Sequence, residues 1–196
     1  MRLWPDKTTI LSGKEERRVT TQRDRRSART REVLVEAHNR LVLDNRQRRI
    51  KVGDIVAEAG VGRSTFYDHY SSAEDIHLEA LVRPLAMLAD AAVGRGESER
   101  LANLLRHFWD NRGRARETIR GRKGERVDRL LAELVAERLD GTASTLPAPL
   151  AAAQLAAAAF APVKAWLRAA APCDAAALAR SICDSGAAAM RALRAD

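Results

Sequence analysis

A segment of seventeen residues, 54–70, constrains the fold of this chain more than any other; it reads DIVAEAGVGRSTFYDHY. Its apolar spacing predicts a helix over 51–59, a break at Gly60, an apolar residue at Val61 and a second short helix over 62–70. Two short helices joined by a tight glycine-containing turn form a helix-turn-helix, in which the second helix can enter the DNA major groove. The segment therefore indicates a DNA-binding head.

Basic residues are concentrated directly before this segment. The 196 residues carry 34 Lys and Arg against 26 Asp and Glu, a net charge of +8. Between positions 14 and 31 lie eight basic and three acidic residues. A GC-rich genome would also enrich Arg and Ala, but this clustering favours a polyanionic partner such as DNA. Residues 1–25 lack helical periodicity and are predicted to form a mostly disordered basic arm; the sequence leaves open whether the arm orders on DNA.

The rest of the chain is predicted to be helical, with no run that alternates like a strand. The predicted helices outside the segment 54–70 are 28–45, 72–93, 98–111, 115–122, 125–139, 149–171 and 174–192. Ser72 with Asp75, or Ser71 with Glu74, has the spacing of a capping box at the start of the fourth helix. Pro84 is expected to kink or split that helix. The fold class is all-α, with a DNA-binding head over 26–71 and a helical effector-binding and dimerisation domain over 72–196.

Helical spacing assigns two faces to the second helix of the motif. Phe66 and Tyr70, four residues apart, are expected to pack inward with Val61 against the preceding helices. Arg63, Ser64 and Tyr67 share another stripe, which is expected to face outward. Arginine is the usual bidentate partner of guanine, whereas Tyr67 and His69 suit phosphate oxygens. The alternative for each residue alone is an ordinary solvated side chain, and their occurrence together favours contact with DNA.

The segment 54–70 also resembles the signature of the tetracycline-repressor (TetR) family of transcriptional regulators. The matching elements are Ile55-Val56, Ala59-Gly60-Val61 and the run from Thr65 to Tyr70. The resemblance covers about residues 28–80 and implies groove contacts for Arg63, Ser64 and Thr65, and phosphate contacts for Tyr67 and His69. Residues 81–196 match only as an all-helical regulatory domain.

Four positions depart from the family pattern. Ala73 replaces a phosphate-binding lysine, Lys51 a threonine, Arg46 a glycine, and Gly62 the serine that caps the recognition helix. Lys51 remains able to hold a phosphate as a point charge. The missing lysine shifts further phosphate binding to other cations before the motif; the candidates are Arg48, Arg49, the arm, and Arg26 and Arg29 directly after the arm.

The last two predicted helices are rich in alanine, whose short side chain allows helices to approach closely. A single helix-turn-helix makes few contacts, so tight binding needs two half-sites and two subunits. The resemblance implies a homodimer whose interface is a four-helix bundle of the last two helices of each subunit. The alternative is that these helices only cover the core of their own subunit.

The larger side chains of the C-terminal domain are candidates for an effector site. They are Met87, His107, Phe108, Trp109, Phe160 and Trp166. For each of them a plain core role is the simpler interpretation. The basic run over 112–126 is a solvated face, an anionic effector site or a DNA-facing surface, and the sequence does not choose among these. In this family a small-molecule effector commonly releases the regulator from a palindromic operator, so repression relieved by an unidentified ligand is expected; the alternatives are activation and dependence on a co-repressor.

Several other classes are excluded or disfavoured. The four histidines are scattered, and no nucleotide-binding glycine motif or nucleophile–base pair is present, so the chain is not expected to be an enzyme. The two cysteines have no metal-binding spacing, and neither a cofactor nor a metal is expected. No secretory signal or membrane span is apparent, which predicts a cytoplasmic protein. The main alternative is a ligand-independent architectural protein that binds DNA by charge.

Overall fold

The computed structural model describes residues 25–42, 50–168 and 173–193. All regular structure in these ranges is helical, which confirms the all-α prediction. The helices are α1 (25–42), α2 (Val52–Ala59), α3 (Arg63–Tyr67), α4 (Ala73–Ala92), α5 (Ser98–Asp110), α6 (Arg112–Thr118), α7 (Gly121–Leu139), α8 (Ala148–Arg168) and α9 (Ala175–Leu193). The predicted arm up to residue 24, and Asn45, Arg46, Arg48 and Arg49, lie outside the described residues.

The chain divides into two compact units, Met1–Ala80 and Leu81–Asp196. We call the described residues 25–42 and 50–80 the head, and 81–168 and 173–193 the body. The core of the head takes side chains from each of α1 to α4 and from the turn after α3; they are Leu34, Ile55, Val56, Phe66, Tyr70 and Ile76. Val52 and Val61 are half-buried against this cluster. The predicted inward packing of Phe66, Tyr70 and Val61 is therefore confirmed.

The turn between α2 and α3 is fixed by backbone geometry. Gly60 has a φ of 65°, in the left-handed region that glycine adopts without a steric penalty. Its N–H donates to the carbonyl of Ala57, and the N–H of Val61 donates to the carbonyl of Val56 at 3.1 Å. These two bonds form a Schellman motif, which ends α2 and reverses the chain. The sequence-based break at Gly60 is confirmed.

Side-chain caps begin α2 and α4. The Asp54 carboxylate accepts the backbone N–H of Lys51 at 2.9 Å, before the first turn of α2. At α4 the Ser72 hydroxyl accepts the N–H of Asp75 at 3.3 Å and donates to the Asp75 carboxylate at 2.9 Å. The predicted cap at Ser72 and Asp75 is confirmed, and it satisfies a backbone donor that helix formation leaves unpaired.

The body packs α5 to α9 and the second part of α4 around its own core. The most deeply buried side chains are aliphatic: Leu101, Leu105, Leu131, Val135, Leu155, Val163 and Leu167. At the end of α4 the backbone itself approaches α9, because a Cβ added at Gly186 would lie 2.0 Å from the carbonyl oxygen of Ala91. Only a glycine fits at this crossing.

Three expected boundaries are wrong. The second helix of the motif ends at Tyr67 and not at Tyr70; the backbone N–H groups of His69 and Tyr70 both donate to the Phe66 carbonyl in a turn that brings Tyr70 into the core. The helix α4 continues through Pro84 over its 20 residues, so the expected split is absent, and the alternative, a kink at Pro84, stays a prediction. The helix α6 covers 112–118 and not 115–122.

Gly113, Gly121 and Gly124 lie between or at the ends of the predicted helices 98–111, 115–122 and 125–139, a pattern that predicts helix breaks, but they do not all act as breaks. Gly113 lies inside α6. Gly121, with a φ of 52°, begins α7 four residues earlier than the predicted start at 125. Gly124 is buried inside α7, where a Cβ would lie 2.5 Å from the Ile119 carbonyl oxygen. At Gly124 the glycine serves close packing, which local sequence cannot distinguish from a loop.

Candidate DNA-binding interface

The helix α3 presents a polar face to solvent. Arg63 and Ser64 are exposed, Thr65 is half-buried, and Tyr67 keeps 59% of its surface exposed. On the opposite side Phe66 is fully buried and anchors the five-residue helix to the core. Large aromatic side chains are normally covered, so a tyrosine this exposed on a helix is available for contact with a partner. The structure brings Arg63, Ser64, Thr65 and Tyr67 together on one short helix.

Tyr67 and His69 differ in position. The Tyr67 ring packs edge-on against the Phe66 ring, with centroids 5.5 Å apart. Tyr67 therefore contacts the core through Phe66 while most of its side chain faces solvent. His69 lies in the turn after α3 and is half-buried, with its ring centroid 6.5 Å from that of Tyr70. Tyr67 is therefore the more accessible of the two predicted phosphate contacts.

Three of the basic residues predicted to contact DNA outside α3 lie in the described part of the chain, and all three are exposed. Lys51 occupies the position before α2, and Arg26 and Arg29 lie on the first turns of α1. The Arg26 carbonyl accepts the Thr30 hydroxyl at 3.0 Å. As exposed cations these three side chains are free to follow a phosphate backbone.

Ion pairs and rings hold the helices of the head around α3. Arg40 on α1 pairs with Glu58 on α2 at 2.7 Å, and Arg31 on α1 pairs with Glu79 on α4. The hydrogen bond to Glu79 raises the pKa of Arg31, and burial raises the pKa of the Tyr70 phenol beside it. The Arg31 guanidinium carbon lies 5.8 Å from the Tyr70 ring centroid. Sequence analysis did not identify this cluster, since residues so far apart in sequence give no local signal.

In the body, the six candidate effector residues fall into different environments. Phe160 and Trp166 are buried, Met87, Phe108 and Trp109 are half-buried, and His107 is exposed. Only Trp109 and Trp166 form a close pair, with ring centroids 4.8 Å apart. The indole N–H of Trp166 donates to the Cys173 carbonyl at 3.0 Å. A small surface hollow lined by Leu139, Met190 and Leu193, among others, lies elsewhere in the body, and none of the six lines it.

The alanine-rich helices α8 and α9 each have a buried and an exposed face. On α8 the buried alanines include Ala152, Ala156 and Ala159. One exposed stripe of α8 follows helical spacing and includes Leu150, Ala153, Ala157, Ala161 and Ala165; Gln154 and Arg168 are exposed beside it. On α9 the exposed residues include Ala177, Ser181, Asp184, Ser185 and Ala188, with Arg180 and Arg191. Leu150 is 60% exposed. The two helices therefore cover the core of their own subunit and also present a surface of mostly small side chains.

Length and composition alone would allow α8 to cross a membrane, and half of its apolar window is buried within the body. The core helix of a folded domain passes the same test, so this is weak support for a span. Among the residues that the structure describes, no group of three or more His, Cys, Asp or Glu side chains is placed to hold a metal ion.

Comparison with solved structures shows the fold. No protein-family model matches the chain, and no curated protein matches it. The chain aligns with Thermus thermophilus FadR, a TetR-family transcriptional repressor in complex with lauroyl-CoA, with a TM-score of 0.50 and 19% identity over 82% of this chain and 94% of that one. The chain thus has the fold of a TetR-family regulator, which confirms the resemblance at the level of the fold.

Two further solved structures align over 85% of this chain and 98% of theirs, each with a TM-score of 0.46. One is a TetR transcriptional regulator from Streptococcus agalactiae 2603V, at 23% identity, and the other is the dihydroxyacetone kinase operon activator DhaS, at 17% identity. These fold neighbours are described as transcriptional regulators and not as enzymes.

Proposed function

We propose that this chain is a sequence-specific DNA-binding transcriptional regulator. The observation that supports this most directly is the polar, exposed face of α3, held on the head by the buried Phe66. A helix that buries one aromatic anchor and exposes Arg, Ser and Tyr side chains has the chemistry to enter a major groove. In this proposal Arg63, Ser64 and Thr65 contact base edges, and Tyr67, His69, Lys51, Arg26 and Arg29 contact phosphates.

The proposed active form is a cytoplasmic homodimer that binds a palindromic operator. Its interface is the exposed small-residue face of α8 and α9, with Leu150 at one end. Close approach of two such faces buries backbone and methyl groups with little loss of side-chain entropy. A mass equal to one chain in light scattering at micromolar concentration would contradict the dimer.

The proposed regulation is release from the operator by a small molecule bound in the body. A fold neighbour, FadR, is in complex with lauroyl-CoA, which supports a small-molecule ligand for a protein of this fold. The proposed lining includes Met87, His107, Phe108 and Trp109 with Phe160 and Trp166. Release requires only that the ligand binds better to a conformation that does not fit the operator. No catalytic role is proposed.

Selection of duplexes from a random pool tests this function. We expect a palindrome to be enriched and protected in footprinting at moderate salt. A screen for small molecules that release the recovered duplex then tests the effector. The alternative, an architectural protein that binds by charge, predicts uniform protection without a preferred sequence. Uniform protection would contradict the sequence-specific regulator and favour the architectural protein.

A further inference from the structure

The guanidinium of Arg63 lies over the backbone of the preceding helix. Gly53 is the second residue of α2, and a Cβ added there would lie 3.4 Å from Nη2 of Arg63. No other heavy atom lies among the near neighbours of that added carbon. A methyl group at position 53 would therefore touch the end of Arg63, and a longer side chain extending in the same direction would compete with the guanidinium for this space.

Backbone conformation does not explain a glycine at this position. The glycines with positive φ among the described residues are Gly60, Gly94, Gly121 and Gly141, and Gly53 is not one of them. Any L-residue could adopt the helical backbone found there, and alanine favours a helix more than glycine does. The glycine instead leaves space on the surface of α2 for the guanidinium of Arg63.

That room affects the side chain that is proposed to contact bases. Arginine has several rotatable bonds, and holding it in one place costs side-chain entropy when a complex forms. A guanidinium that already rests along α2 needs less ordering on the DNA. Its direction also decides which base it can meet, because bidentate contact with guanine requires the fork in one plane.

We propose that Gly53 is a positioning residue for Arg63. Because position 53 has no side chain, the guanidinium of Arg63 can lie against the backbone of α2, and this placement determines which base Arg63 contacts. This inference rests on the proposed function, and it adds a residue of α2 that determines specificity without contacting a base. Its effect depends on size. A methyl group at 3.4 Å only touches the guanidinium, whereas a longer side chain takes its place.

The test is a double-mutant cycle with the operator duplex recovered from the random pool. Gly53→Ala and Gly53→Leu are each made with Arg63 present and in the Arg63→Ala background, and binding is measured by fluorescence anisotropy at one salt concentration. With Arg63 present we expect Gly53→Leu to weaken operator binding about tenfold and Gly53→Ala by less than about threefold. In the Arg63→Ala background both should change it by less than about twofold.

Two controls separate positioning from folding. Ala57→Leu places the same leucine side chain one turn further along α2, at an exposed position, and should change operator affinity by less than about twofold in either background. Affinity for an unrelated duplex should be the same for Gly53→Leu and the unmodified chain, since phosphate contacts are retained. Repeating the selection with Gly53→Leu should change the base preference at the one half-site position that Arg63→Ala also affects.

Each outcome has one meaning. Equal weakening by Gly53→Leu in both backgrounds overturns the inference and leaves the proposed function standing. An unchanged affinity for Arg63→Ala shows that Arg63 does not contact bases, which removes that part of the proposed function and the inference with it. If no preferred duplex is recovered at all, sequence-specific recognition itself is wrong.

Discussion

The head and the body bury their cores with different kinds of side chain. The head anchors its two shortest helices with a few large residues, such as Ile55 on α2 and Phe66 on α3. The body uses long helices and, at its closest crossings, glycine and alanine, as where Gly186 meets Ala91. The head therefore depends on individual side chains, and the body on how closely its backbones approach.

This difference follows from helix length. A helix of five residues has only about one residue per turn that faces the core. A single aromatic ring must therefore supply most of its buried apolar surface, which stabilises the fold by about 2 kcal/mol or more. A helix of 19 to 21 residues distributes burial over many positions and can use small ones. The short α3 leaves its other residues free for contacts outside the fold.

The largest test of this comparison is Phe66→Ala. Removing the anchor of α3 is expected to destabilise the head by about 4 kcal/mol, because the ring is fully buried. Hydrogen exchange followed by mass spectrometry should show faster exchange over residues 50–80 and unchanged protection over 101–139. Phe66→Leu, which keeps most of the volume, should cost less than about 1.5 kcal/mol. Equal losses in head and body peptides would contradict the division of roles.

The second test is Gly186→Ala in the body. The added methyl group would lie 2.0 Å from a backbone carbonyl that cannot move aside by a side-chain rotation. We expect a loss of about 3 kcal/mol in urea-induced unfolding. The matched control is Gly113→Ala in α6, where nothing lies within 4 Å and a gain of about 0.5 kcal/mol is expected. A gain for both variants would show that α4 and α9 do not approach so closely.

A smaller effect is expected from the cap of α4. Ser72→Ala removes the hydroxyl that accepts the Asp75 N–H, which should cost about 1 kcal/mol. Ser71→Ala, one residue earlier and exposed, should change the unfolding free energy by less than about 0.5 kcal/mol. The urea midpoints of the two variants are compared. A lower midpoint for Ser71→Ala than for Ser72→Ala would assign the cap to Ser71 and Glu74.

The smallest effect concerns alkaline pH. Burial raises the pKa of Tyr70 above its usual value of about 10, so the folded head favours the neutral phenol. The unfolded chain then loses this proton at lower pH than the folded chain. The contribution of the neutral phenol to folding stability is therefore fully present below the pKa of tyrosine in the unfolded chain, and it is lost as pH rises through the pKa of Tyr70 in the folded chain. Tyr70→Phe should show a shallower loss of stability above about pH 10, and parallel profiles for both proteins would rule out the effect.

The sequence identified the head well because its signals are local. The glycine break at Gly60, the inward Phe66 and the cap at Ser72 each depend on residues within a few positions of one another. The end of α3 was missed because Tyr70 is drawn into the core by the packing of other helices. The start of α7 was missed because Gly124 resembles a helix breaker and is in fact a contact site.

Interactions between residues close in sequence therefore determined the all-helical class, the helix-turn-helix and the polar residues that α3 exposes. Tertiary structure alone decided which alanines of α8 face outward, that Arg31 meets Glu79, and that Gly53 lies under Arg63. Turns, caps and periodicity arise between neighbours in the chain and so leave a pattern in it. A close approach between distant segments depends on the whole packed arrangement, and a glycine or alanine that permits it looks the same in sequence as one that does not.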